Sequence, residues 1–84
     1  MNLNINQVNG SILSISQFTL YADPSSGNRP SFINAMNAAL ATKMYDEFNE
    51  KLRQTGIKVE TGVFGAEMKI DFTNDGPVTI LLEF

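Results

Sequence analysis

The sequence predicts an α+β fold: an antiparallel or mixed β-sheet, partly barrel-like, with one main amphipathic helix packed on it. Apolar residues recur at helical spacing between Leu40 and Leu52, and two later segments, Ile57–Val63 and Met68–Thr73, alternate at the strand period. A turn signal, Asn74-Asp75-Gly76-Pro77, separates the second of these from an apolar run, Val78–Phe84, and predicts an antiparallel pair.

Each element follows from local chemistry. Ile12–Ala22 is rich in β-formers and free of Gly and Pro, so it reads as a strand. Asp23–Pro30 is dense in turn formers and reads as a loop. Leu40, Ala41, Met44, Tyr45, Phe48 and Leu52 fill a helical arc of roughly 140° that is expected to be core, with Lys43, Asp46, Glu47, Asn49, Glu50 and Arg53 on the other side. Asn37 or Asn34 caps the start, Gly56 suits the position after the end, and Glu47 with Lys51 forms an i,i+4 pair. Gly62 and Gly65 flank Val63-Phe64 as turn or bulge residues. A sheet of about four strands with a single helix leaves apolar edges such as Val78–Phe84 without a neighbour. Either a partner chain or further polypeptide is expected to cover them.

Composition excludes several classes of function. The 84 residues suffice for one small domain. Hydrophobic residues at 43% and charged residues at 18% are globular values. There is no Cys, so disulfides, thiolate nucleophiles and zinc–thiolate sites are excluded. There is no His, so Ser-His and Cys-His nucleophile pairs are excluded and a metal centre is disfavoured. No metal and no cofactor are called for. A net charge of −3, with six scattered Lys and Arg, is not the footprint of a protein gripping long nucleic acid, and DNA is not an expected partner. If RNA is the substrate, contact is confined to a short end. No apolar run reaches the ~20 residues of a membrane span and no signal-like leader appears, so a cytoplasmic location is the expectation.

Chemistry has few places to reside. Ser16 and Gln17 are consecutive in a strand-like run and point to opposite faces, so one of them must find a buried partner or line a cavity. Taken alone, Gly76-Pro77 reads as an ordinary hairpin corner, and Met44, Tyr45 and Phe48 read as core. The helix acids Asp46, Glu47 and Glu50 form a solvated face. No carboxylate pair is placed for acid–base work.

Four motifs taken together carry a resemblance. Ser16-Gln17-Phe18-Thr19-Leu20 with Ala22-Asp23, then Arg29-Pro30-Ser31-Phe32, then Thr61-Gly62-Val63-Phe64-Gly65-Ala66 with Met68, and finally Asn74-Asp75-Gly76-Pro77-Val78-Thr79 resemble the D-aminoacyl-tRNA deacylase (D-tyrosyl-tRNA deacylase) family in order and spacing. Met1-Asn2-Leu3-Asn4 is similar to the stretch before the family's first motif. The resemblance implies that residues 1–84 are a single domain corresponding to the C-terminal portion of such an enzyme, with the N-terminal family strands absent.

It also implies a mechanism. Family members are homodimers that hydrolyse the ester of D-aminoacyl-tRNA, and of glycine mischarged on tRNA, with sites at the subunit interface. Ser16, Gln17, Phe18 and Thr19 match the catalytic motif lining one subunit's pocket. Gly76 and Pro77 match a cis unit that reaches into the other subunit's pocket and selects chirality, and Phe64, Ala66 and Met68 match its wall. Thr19 is expected to position substrate, because no histidine exists to take its proton. The substrate's own ribose 2′-hydroxyl is expected to give acid–base help. Two alternatives stand beside this: a non-catalytic remnant or dimerisation module, and an editing module akin to the N-terminal domain of archaeal-type threonyl-tRNA synthetases.

Overall fold

The computed structural model describes residues 2–84; Met1, at the head of the first stretch compared above, lies outside the described residues. Strand β1 (Ser11–Ser14) is followed by a 3-10 helix (Phe18–Tyr21), helix α1 (Ala38–Gln54) and strand β2 (Lys58–Thr61). The two strands pair in parallel, Ser11 opposite Lys58 through Ser14 opposite Thr61.

This corrects the expected antiparallel or mixed, partly barrel-like sheet. Parallel strands are joined by a crossover rather than a hairpin. The helix between Ile12 and Ile57–Val63 supplies the long crossover that a parallel pair needs. The strand expected over Ile12–Ala22 stops at Ser14, and Phe18–Tyr21 turns into 3-10 helix. The expected antiparallel pair of Met68–Thr73 and Val78–Phe84 does not form: residues 67–84 carry no strand. A strand needs a neighbour to satisfy its backbone groups, and an isolated hairpin is marginal in water.

Helix α1 begins and ends where its signals place it. Asn37 Oδ1 accepts from the Ala39 and Leu40 N–H groups at 2.9 and 3.4 Å, which satisfies two of the donors left over at a helix start. Gly56, at φ +87°, follows the C-terminus in the left-handed conformation that L side chains rarely adopt. The ion pair on the helix is Arg53–Glu50 at 3.7 Å rather than Glu47–Lys51, and both partners are largely exposed.

The packed face differs from the expected stripe. Tyr45 and Leu52 turn towards the sheet, and the Tyr45 hydroxyl donates to the Ser14 carbonyl at 2.6 Å. Leu40, Met44 and Phe48, expected in the core, are more than half exposed, whereas Asn49, expected outside, is buried at 2%. A 17-residue helix on two short strands has room for one narrow line of contact. The wider apolar arc exceeds what those strands cover, and Val59 is the buried hydrophobic residue beneath it.

Candidate functional site

The connection after β1, the segment entering α1 and the turn after β2 converge on a cleft of about 760 Å³. That volume falls in the range of pockets that enclose small organic ligands. Ser16, Gln17 and Phe18 line one side, Phe64, Ala66 and Met68 another, and Tyr45 and Phe32 close the remainder. Rings dominate: Phe18 meets Phe32 edge-on with centroids 5.0 Å apart, and Tyr45 lies 6.1 Å from Phe64.

The local reasons are specific. The 3-10 helix turns the chain after Gln17, so Phe18 swings towards Phe32 instead of continuing a pleat. Asp23 and Ser31 exchange backbone hydrogen bonds of 2.7 and 2.8 Å, which closes the Asp23–Pro30 loop and sets Phe32 beside the cleft. The Asp23 carboxylate accepts from the Ser25 hydroxyl at 2.6 Å and from the Ser25 N–H at 3.0 Å. Those two bonds hold its pKa below the ordinary value. After β2, a turn closed by Ala66 N–H on the Val63 carbonyl presents Phe64 to the cleft. Gly62 lets Met68 approach closely there: a Cβ on it would meet Met68 Sδ and Ile15, and the Met68 side chain would have to shift.

Thr19 is not among the lining residues, but it is tied to one of them. Gln17 Nε2 donates to Thr19 Oγ1 at 2.6 Å. The threonine hydroxyl thus accepts one bond and keeps its own proton for an acceptor outside the chain. The N–H groups of Phe18 and Thr19 lie in the first turn of the 3-10 helix, where no intrahelical partner exists, and no side chain caps them. Gly76 and Pro77 are exposed, joined by a cis peptide, and are not part of the cleft lining.

Tyr45 and Phe32 are site-lining residues that sequence reasoning did not single out. Ala38, Ala41 and Tyr45 all line the cleft, and their i, i+3, i+7 spacing was the available signal. It was hidden inside a broader apolar stripe. Among the described residues no three Asp or Glu side chains gather, and no helix is long and apolar enough to cross a membrane.

A family model described as D-Tyr-tRNA(Tyr) deacylase matches residues 1–83. A protein of Limosilactobacillus reuteri (strain DSM 20016) named D-aminoacyl-tRNA deacylase is 60% identical over 83 residues, which are 99% of this chain and 57% of that protein. One of the same name from Staphylococcus carnosus (strain TM300) is 57% identical over 83 residues, 99% of this chain and 55% of the relative. The chain thus spans just over half the length of these curated relatives.

Proposed function

Because the chain belongs to the D-Tyr-tRNA(Tyr) deacylase family, we propose that its cleft is where the ester of a D-aminoacyl-tRNA is cleaved to free D-amino acid and tRNA. The observation that carries this is the Gln17–Thr19 pair at the edge of an aromatic cleft, next to two uncapped backbone N–H groups.

The chemistry needs little from side chains. A water oxygen adds to the ester carbonyl carbon, the bond to the ribose oxygen breaks, and the proton ends on that ribose oxygen. In this reading the Phe18 and Thr19 N–H groups meet the charge on the carbonyl oxygen, and removing one such donor costs roughly 10²–10³ in rate in a comparable site. Thr19 receives a bond from the Gln17 amide, which cannot take a proton from it. Thr19 therefore orients substrate by donating, and the adjacent 2′-hydroxyl of the terminal adenosine supplies acid–base help. Thr19→Val should lower kcat/KM for D-tyrosyl-tRNA while leaving measurable turnover. Complete loss of turnover with normal substrate binding would mean that Thr19 is the nucleophile.

Chirality is assigned to Gly76 and Pro77 acting on the cleft of a second protomer. Their exposure and their absence from the lining of their own cleft support action across a dimer. A rigid backbone facing Cα rejects the L form by clash and admits glycine. Pro77→Ala should narrow the ratio of D- to L-tyrosyl-tRNA hydrolysis, and an unchanged ratio removes the pair from this role. Phe64, Ala66 and Met68 form the wall, the partner is the acceptor 3′ end, no cofactor takes part, and the setting is the cytoplasm.

A second reading, a non-catalytic module of the family, is favoured by the small core: Val59 is the buried hydrophobic residue of the described chain. Deacylation of D- against L-tyrosyl-tRNA by the purified chain separates the two.

A further inference from the structure

One backbone oxygen ties together the elements that enclose the cleft. The carbonyl of Ser14, the last residue of β1, accepts from the Gly62 N–H at 3.3 Å and from the Tyr45 hydroxyl at 2.6 Å. Ser14 itself is buried. Ser16, Gln17 and Phe18 follow it closely along the chain, Phe64 and Met68 follow Gly62, and Tyr45 belongs to α1. The junction therefore stands at the root of both facing walls and on the helix between them.

The two bonds are unequal. At 2.6 Å the hydroxyl bond is at the short end for its kind, whereas 3.3 Å lies just beyond the usual N–H···O range. The hydroxyl is the firmer tie, and it has little help. Among the described residues, the backbone of Ile15 and Ser16 makes no loop or turn hydrogen bond before the 3-10 helix begins. The bonds of Gln17 to Thr19 and of Ala22 N–H to the Thr19 carbonyl lie within the segment and hold its own shape. Phe18 also meets Phe32, but an apolar contact is non-directional and sets no register.

We propose that Tyr45 is a positioning residue for the ester cleavage assigned to this cleft: its hydroxyl, through the Ser14 carbonyl, sets the Gln17–Thr19 segment and its N–H groups against the Phe64 wall. The proposal rests on that reading of the cleft. The Tyr45 hydroxyl has one proton and gives it to Ser14, so none is left for substrate. Tyr45 acts through the backbone and not on the reacting atoms.

The test removes one oxygen. Tyr45→Phe keeps the ring beside Phe64 and so keeps the cleft lined. For D-tyrosyl-tRNA, kcat should fall at least about tenfold with KM within about twofold, since a misplacement of about 1 Å costs up to ~10² in rate. Val59→Ala, which removes buried packing outside the cleft lining, should leave kcat unchanged at a temperature where both variants are folded. In NMR spectra of the free chain, Tyr45→Phe should move the Phe18 and Thr19 amides and the Gln17 side-chain amide, and Val59→Ala should leave them in place. Unchanged kcat in Tyr45→Phe, an equal fall in Val59→Ala, or Phe18 and Thr19 signals that do not move overturns the proposal. Should Tyr45→Phe not fold, the wild-type chain decides. Its Tyr45 hydroxyl proton and its Ala22 amide should lose protection from exchange in one shared opening as urea is added, and separate openings overturn the proposal. If the wild-type chain does not turn over D-tyrosyl-tRNA, the reading of the cleft fails, and the spectra still decide whether Tyr45 sets the segment.

Discussion

Residues 11–66 and residues 67–84 are equally apolar to the eye and fold to different extents. The first region holds the parallel strand pair, the capped helix and most of the cleft lining; the second adds Glu67, Met68 and Ile70 to that lining but forms no ladder. The difference lies in where partners come from. In the first region each element finds its partner within the chain: Asn37 caps its own helix, Tyr45 bonds the Ser14 carbonyl, and β1 meets β2. In the second, hydrophobicity without a neighbour leaves side chains in water and backbone groups unladdered. Apolar content states a demand for burial, and topology decides whether the demand is met.

The largest contrast should come from deleting the same kind of side chain in both regions. Val59 is 8% exposed and Leu82 is 72% exposed. Val59→Ala should cost about 2 kcal/mol in urea unfolding of the chain alone, and Leu82→Ala should stay within about 0.5 kcal/mol. Equal costs would break the comparison, because they would mean that the C-terminal run is packed in solution.

Two changes within the ordered region sharpen its account. Asn37→Ala should cost about 1 kcal/mol by removing the acceptor for the Ala39 and Leu40 N–H groups. Asn49→Leu should act in the opposite direction. The Asn49 Oδ1 atom is buried and has no hydrogen-bond partner among the described residues, and an unpaired buried acceptor costs about 1–3 kcal/mol. An apolar replacement of similar size should raise the unfolding midpoint. A lowered midpoint would show that a water or a partner group satisfies that oxygen.

Legibility in the sequence follows the same division. The helix, its Asn37 cap and its Gly56 exit were readable because their causes lie within a few residues. Strand direction is not written in the element order, since a helix-length connection permits either direction, and the Asn74–Pro77 turn signals a hairpin that does not form. Asn49 reads as outward from its place opposite the apolar arc, while the geometry of the contact line turns it inward. Of the candidate site, Ser16, Gln17, Phe18, Phe64, Ala66 and Met68 share one cleft, a convergence that no local pattern announces. It became visible only through the order of several motifs together. Tyr45 reads as packing because it sits inside the broad apolar stripe of the helix, yet it lines the cleft. Gly76 and Pro77 lie outside the cleft lining, and no local pattern relates them to it.

The smallest effect concerns pH and the loop that sets Phe32. The Asp23 carboxylate accepts from the Ser25 hydroxyl and N–H, so its pKa is lowered from 3.8 in the folded chain. A depressed carboxylate contributes stability that is fully present above its unfolded value and is lost as pH falls through the folded one. Between pH 5 and 8, then, Asp23 should give no pH dependence; the loop should loosen only below the ordinary carboxylate range. Asp23 bears the shift at an exposed site, so the change should be local. Amide signals of Asp23 to Ser31, followed by NMR from pH 6 to pH 2, should move together with a midpoint below 3.8. Asp23→Asn should erase that transition and leave the backbone pairing with Ser31 in place, since Asp23 makes those bonds through its main chain. Loss of the pairing in that variant would mean that the side chain, not the backbone, closes the loop and so sets the position of Phe32.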